Sequence, residues 1–404
     1  MSIERSFFFY ISDMRSIFVW LGALSICLIG SAAPRAYIED NGLFSVPFGL
    51  KNIVEGSIFN SVSGLAEKGV NTVFKLGSGI VEFTSDYLQS ECMRMVQLMA
   101  VPEHKSPDIK NMQFHYMTTC GSYKVPILEA DTLWEHQQFQ RNRKLVVLAS
   151  GWMNTINYSH AIETIWMPFM CRPDVNFVAV DVSSYVDTLY TWSALNTDMI
   201  GRHIAVGLAK LYDMMPLIDI HLIGHSLGAH IMGSAGREFQ RLTKRQVPRI
   251  TGLDPAKPCF LKRSKFRSLT KGDAKLVDVI HTNPGLLGQR FPTGDVDFYP
   301  AGEDALKPGC LFIDCSHNRA YQYFAESVYP RRERSFLAYK CSSTKELETK
   351  TCSSSETTMG YTIDWAARGV YYLDVRGASP FGMNSESARI MDLMDKSDNC
   401  KCKD

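Results

Sequence analysis

Ser226 stands at the centre of Gly224-His225-Ser226-Leu227-Gly228, and this G-x-S-x-G run follows the apolar stretch Ile220 to Ile223. A strand that turns sharply into a helix at such a site holds the serine hydroxyl out above the strand end, and only glycine on either side lets strand and helix come that close. The serine then sits at a helix N-terminus, where unpaired N–H groups favour developing negative charge. The chemistry this suggests is nucleophilic attack by Ser226. The small residues Gly233, Ser234, Ala235 and Gly236 downstream suit a helix that packs closely on a sheet.

A serine hydroxyl needs a base to take its proton and an acid to orient that base. In the α/β-hydrolase arrangement these follow in the order Ser, Asp, His. Asp254 closes the apolar run Arg249 to Leu253 and precedes Pro255, as a strand-end acid should. Beyond it the chain has two histidines, His281 at the end of the strand-like Lys275 to Ile280, and His317 in a loop that opens a helix pattern. Spacing leaves both open. The oxyanion of a tetrahedral intermediate needs two main-chain donors, one from the residue after the nucleophile, Leu227, and one from the loop after an early strand. The strand Leu145 to Ala149 leads into Ser150-Gly151-Trp152.

The elements that must position these residues alternate along the chain. Apolar strands at Leu145 to Ala149, Asn176 to Val182, Ile220 to Ile223, Arg249 to Leu253 and Leu276 to His281 are separated by helical spacing such as Ile200, Ile204, Leu208 and Leu211. This implies an α/β fold with a mostly parallel central sheet covered by helices on both faces. His221, His225 and His230 cluster in sequence, but a strand-turn-helix path scatters their side chains, so they are expected to be structural rather than a zinc site.

The blocks Gly224 to His230, Ile250 to Phe260, Gly272 to Thr282 and Cys315 to Arg319, in this order, resemble the pancreatic lipase family, including its insect and venom phospholipase A1 branch. The resemblance covers about Met112 to Gly382. It implies an α/β-hydrolase fold with Ser226, Asp254 and His317 as the catalytic triad, leaving His281 a polar strand-end residue. It places the second oxyanion donor on the N–H of Trp152, with Ser150 where the family usually has histidine. It also implies that Cys341 pairs with Cys352 and Cys310 with Cys315. Cys92, Cys120, Cys171, Cys259, Cys400 and Cys402 are left unassigned.

The 404 residues, 45% hydrophobic with net charge +1, suit one main domain with a large core and carry no global bias toward nucleic acid. Arg5 and Arg15, the apolar Ile17 to Ile29 and the small residues Gly30 to Ala33 read as a signal peptide over residues 1–32, too short to span a bilayer; a retained signal anchor is the alternative. Losing Cys27 leaves ten of the eleven cysteines, as a secreted, disulfide-bonded protein would have. Asn157-Tyr158-Ser159 is a glycosylation sequon. Residues 33–110 carry a stripe (Ile58, Val62, Leu65, Val73, Leu76, Ile80, Phe83, Tyr87) that reads as an amphipathic helical extension, either packed on the domain, a pro-segment, or lipid-facing. Residues 111–383 form the expected lipase domain and 384–404 a polar tail, with no C-terminal β-sandwich and hence no colipase-like partner expected.

Calcium-binding relatives hold the ion with carboxylates in a stretch where this chain, from Leu261 to Lys271, has no acid before Asp273. No metal or other cofactor is therefore expected. Between Cys310 and Cys315 only Leu311 to Asp314 intervene, at most about 13 Å of extended chain, too little for a lid. The loop Asn283 to Asp295 is short as well. The resulting expectation is a secreted ester hydrolase acting on lipids at a membrane or lipid surface, of phospholipase A1 type or a broad lipase. The alternatives are a triacylglycerol lipase and a non-enzymatic, yolk-like storage protein on the same fold.

Overall fold

In the computed structural model the described residues are 89–90, 92, 107–152, 159–186, 190–260 and 266–383. The signal segment, the stripe from Ile58 to Tyr87, the sequon Asn157 and the tail from 384 lie outside them. Among the described residues eleven strands form one sheet: β1 (Gln113–Thr118), β2 (Gly121–Pro126), β3 (Lys144–Ala149), β4 (Val175–Asp181), β5 (Ile220–His225), β6 (Arg249–Leu253), β7 (Leu276–Ile280), β8 (Val296–Pro300), β9 (Leu337–Lys340), β10 (Glu356–Thr358) and β11 (Gly369–Leu373). Their order is β10-β9-β11-β8-β7-β6-β5-β3-β4-β1-β2. The centre, from β4 through β3, β5, β6, β7 and β8 to β11, is parallel throughout, and antiparallel pairs close both edges.

The central strands read as unbroken apolar runs because both faces are covered. In β3, Leu145, Val147 and Ala149 point to one face, where they join Ile200, Ile204, Leu208 and Leu211 of α2 (Tyr190–Met214) and Met232, Ala235 and Phe239 of α3 (Leu227–Thr243). Val146 and Leu148 point the other way, onto Ile162, Ile165 and Phe169 of α1 (His160–Met170) and Phe324 and Val328 of α4 (Ile313–Val328). Alternate residues of a strand face opposite sides, so one short segment supports two cores. Each fully buried leucine here is worth about 2–5 kcal/mol against truncation to alanine. The expected doubly covered α/β-hydrolase sheet is what forms. Strands β1, β2, β9 and β10 at the two ends of the sheet were not legible in the sequence, since they are short and mix polar with apolar residues.

Caps fix where helices begin and end. Ser159 Oγ accepts from Ile162 N–H at 3.1 Å and starts α1. Lys244, at φ 60°, takes the left-handed conformation that ends α3. In the interior, Arg249 at the start of β6 grips Asp278 of β7 with two bonds of 2.7 and 2.9 Å and reaches the carbonyls of Gly360 and Tyr361, both at 2.6 Å. Every charge in that buried pair has a partner, which is the condition for burying it at all.

Disulfides Cys310–Cys315 and Cys341–Cys352 form as the resemblance implied. Cys92 bonds Cys259, a pairing sequence left open, and Gln89 Oε1 accepts from Cys259 N–H at 2.8 Å. Gln89 and Cys92 are thereby both held to Cys259 in the chain that leaves β6. Cys120 and Cys171 are also disulfide-bonded.

Candidate active site

The turn at Ser226 joins β5 to α3. Its backbone sits at φ 57° and ψ −120°, a strained region for a residue with a side chain. The crossing is so tight that a Cβ on Gly224 would lie 2.2 Å from the Gly228 carbonyl oxygen, and one on Gly228 would lie 2.1 Å from that of Ala149. The strain is held from both sides, since Ser226 N–H donates to Leu253 O at 3.0 Å and Ser226 O accepts from Ala256 N–H at 3.3 Å. The nucleophile's main chain is thus clamped to the residues that flank Asp254.

Asp254 leaves the end of β6 at φ 44°, with its N–H bonded to Ile280 O at 2.8 Å and its side chain fully buried. Its Oδ1 accepts from the N–H groups of Thr282 and Asn283 at 2.8 and 2.9 Å, and its Oδ2 meets His317 Nδ1 at 2.5 Å. Burial opposes its ionisation, but the His317 hydrogen bond and the two main-chain donors outweigh it, and the carboxyl is held below the usual carboxylate range. Gly288 borders the same carboxylate. A Cβ there would lie 2.4 Å from Asp254 Oδ1, so the loop after β7 can close over the acid only with glycine at that position.

His317 lies inside α4, which begins at Ile313, rather than in a loop ahead of the helix as its sequence context suggested. The Cys310–Cys315 bridge tightens the chain enough for the first turn to form before the histidine. The His317 carbonyl is near two side chains, His225 Nε2 at 3.3 Å and Thr282 Oγ1, which donates at 3.3 Å. The rings of His225 and His317 are 4.7 Å apart. Burial pushes His225 down to about 3, so it stays neutral beside the base. Since His225 immediately precedes Ser226, the same contact brings α4 to the nucleophile. Nε2 of His317 is engaged by no hydrogen bond among the described residues, and its side chain keeps 12% exposure.

The other sequence candidates fall where chemistry allows. His281 is apart from the serine, its Nδ1 near Gln289 O at 2.9 Å and its Nε2 near Asp297 Oδ1 at 2.8 Å. His221 Nε2 meets Thr251 Oγ1 at 2.8 Å, and His230 Nε2 meets Ala256 O at 2.8 Å, so the three clustered histidines go to different partners. No group of metal-ligating side chains occurs among the described residues. Gly151 runs directly over the nucleophile, where a Cβ would be 2.7 Å from Ser226 Cβ and 3.2 Å from its Oγ. The chain therefore delivers Trp152 beside Ser226. The Trp152 ring is 37% exposed and meets Tyr190 edge-on at 5.5 Å. Leu227 is the first residue of α3, where the N–H has no partner within the helix.

Sequence reasoning missed the supports: Thr282 and Asn283 under Asp254, His225 behind His317, and Gly288 as the space for the acid. Thr282 ended a block that was read, but nothing local marks a main-chain N–H as a ligand for a residue 28 positions away.

Comparisons with known proteins point to one family. A family model described as Lipase matches residues 80–381. Vitellogenin-3 of Drosophila melanogaster is 36% identical over 211 residues, covering 52% of this chain and 50% of that protein. Pancreatic lipase-related protein 2 of Rattus norvegicus is 33% identical, covering 57% and 53%, and lipoprotein lipase of Bos taurus is 33% identical, covering 60% and 56%. The chain spans about half the length of the curated relatives it matches. Its relatives thus include proteins named as lipases and proteins named as vitellogenins.

Proposed function

The chain belongs to the lipase family, and from that premise we propose that it is a secreted serine hydrolase that cleaves carboxylic esters of lipids, with phospholipase A1-type specificity. The observation that carries the proposal is the convergence of a strained Ser226 with a buried Asp254–His317 pair whose outer nitrogen stays open. In this reading His317 Nε2 takes the proton of Ser226 Oγ as the oxygen attacks the ester carbonyl. Asp254 fixes the ring through Nδ1 and stabilises the imidazolium that forms. The N–H groups of Leu227 and Trp152 bind the oxyanion. His317 then protonates the departing alcohol, and water, deprotonated by the same nitrogen, releases the acyl group from Ser226.

Head-group preference rests on the loops above the site. The Cys310–Cys315 bridge closes a loop of four residues whose ends are 5.6 Å apart between Cα atoms. Leu311 and Phe312 are 64% and 63% exposed at its tip, too short to cover an acyl cleft yet apolar enough to meet a lipid surface. Less wall above Ser226 leaves room for a polar head group. Secretion is supported by the leader pattern and by the disulfides, which suit an oxidising compartment. No helix among the described residues is long and apolar enough to cross a membrane.

Fatty-acid release from phosphatidylcholine and triolein, measured side by side with fluorophosphonate labelling, tests the proposal. Labelling at Ser226 with sn-1 release from phosphatidylcholine is the expected result. Labelling with release from triolein alone removes the phospholipase assignment. A folded, secreted protein that neither labels nor hydrolyses either lipid favours the second reading, a lipid-binding storage role, which the identity to vitellogenin-3 supports.

A further inference from the structure

Lys307 lies between β8 and α4 with only 1% of its surface exposed. A buried ammonium must find hydrogen-bond acceptors or lose its proton. Here Nζ donates to the main-chain carbonyls of Gly302 and Asp304, each at 2.7 Å, and so folds the loop that leaves β8 back on itself. The next carbonyl in that loop, Ala305 O, accepts from Asn283 Nδ2 at 2.6 Å. Asn283 in turn gives its main-chain N–H to Asp254 Oδ1 at 2.9 Å. In the other direction, the main-chain N–H of Lys307 donates to Ser316 Oγ at 2.9 Å, and Ser316 precedes His317. The Lys307 carbonyl accepts from Cys310 N–H at 3.0 Å, which fixes the start of the disulfide loop. One residue is therefore tied to the support of the acid and to the neighbour of the base.

We propose that Lys307 is a positioning residue for the Asp254–His317 pair, its ammonium fastening the loop whose Ala305 carbonyl holds Asn283 and its main chain fastening Ser316. This rests on the reading of Ser226, His317 and Asp254 as the hydrolytic machinery. Burial pulls the Lys307 ammonium down to about 7, opposed by the attraction of Asp254, Asp304 and Glu303.

The test is Lys307→Met, a side chain of similar length with no charge or donor, compared with wild type and Ser226→Ala. Melting temperature, fluorophosphonate labelling rate, and kcat and KM from pH 4 to 9 on a soluble short-chain ester are measured. The expected result is a kcat about 10–100-fold lower at neutral pH with KM little changed. Lys307→Gln keeps a donor without the charge and is expected to recover part of kcat. A lower melting temperature with wild-type kcat in Lys307→Met reduces the lysine to a packing residue and overturns the proposal. If neither variant folds, Asn283→Ala decides, with reduced kcat at unchanged KM supporting the linkage and wild-type kcat refuting it. Wild-type protein that does not label overturns the underlying reading as well. Labelled wild type with unaltered lysine variants overturns only the role of Lys307.

Discussion

Two of the histidine–aspartate pairs in this fold are built alike. Asp254 accepts from two consecutive main-chain N–H groups, Thr282 and Asn283, and bonds His317. Asp297 accepts from two consecutive main-chain N–H groups, Thr293 and Gly294, and bonds His281. The second nitrogen separates them. In His281 it meets the Gln289 carbonyl, and the ring is fully buried and stacked 4.4 Å from Tyr299. In His317 it is engaged by no hydrogen bond among the described residues. A carboxylate beside an imidazole is therefore no mark of catalysis in itself. What makes a base is a nitrogen with nothing else to bind.

The sharpest way to break this contrast is to remove each ring. If the proposed triad holds, His317→Ala, like Ser226→Ala, should lower kcat by about 10⁴-fold or more while the protein melts near the wild-type temperature, because triad members act as a unit. His281→Ala should do the reverse. It strands a buried carboxylate, costs about 3–5 kcal/mol, and leaves the folded fraction turning over within about tenfold of wild type. Calorimetry together with ester hydrolysis per folded molecule reads both. Loss of turnover in folded His281→Ala with activity kept in His317→Ala would exchange the roles.

Changing only the acids sharpens the same comparison. Asp254→Asn should lower kcat by about 10³–10⁴-fold, since an amide no longer fixes the useful tautomer or stabilises the imidazolium. Asp297→Asn should appear in the melting temperature and leave kcat within severalfold. The space beside Asp254 gives an intermediate effect. Gly288→Ala places a methyl against the carboxylate, so kcat should fall about 10–100-fold with a modest loss of stability. A wild-type rate in that variant would mean that the acid can move without cost to the base.

A third comparison sets these pairs against the histidines that stay neutral. Burial holds His225 and His230 down to about 3, and lowers His221 well below its ordinary value. A depressed folded value stabilises the protein fully above the unfolded value of about 6.5, and that contribution is lost as pH falls toward the folded one. Melting temperature should therefore drop by roughly 5 °C or more between pH 6.5 and 4. His230→Gln, which keeps a polar side chain without a titrating ring, should flatten part of that slope. An unchanged slope would show that the ring is not held neutral.

The smallest effect concerns calcium. Asp273, the first acid after the loop that lacks carboxylates, is bound by Arg237 Nη1 at 2.7 Å and by Thr270 N–H at 2.9 Å. With an arginine already there, EDTA should leave melting temperature and turnover unchanged within error. A drop reversed by calcium would contradict this.

Much of the site was legible because its signals are local. A glycine-flanked serine between an apolar run and a small-residue helix specifies a tight turn, since sterics at Gly224 and Gly228 act across four residues. Unbroken runs such as Leu145 to Ala149 imply a strand with both faces covered, because any water-facing side would need polar alternation. The pairing of Cys310 with Cys315 came from the family resemblance, and the structure forms it. The order of Ser226, Asp254 and a later histidine followed from the fold class.

The remainder depended on contacts that no local pattern encodes. His281 and His317 both follow plausible strands and helices, and only the sheet order, which sets β7 against β6 and β8, gives the first histidine to Asp297 and leaves the second for Asp254. Cys92 meets Cys259 across 167 residues, and Asn283 supports Asp254 through a main-chain N–H that any residue type but proline could supply. Sequence by itself determined which residues could do chemistry and which segments would be buried, because charge, size and hydrophobic periodicity belong to the residues. Only the tertiary structure decided which histidine pairs with Asp254 and which of them keeps a ring nitrogen open, because chain segments far apart in sequence settle it by where they pack.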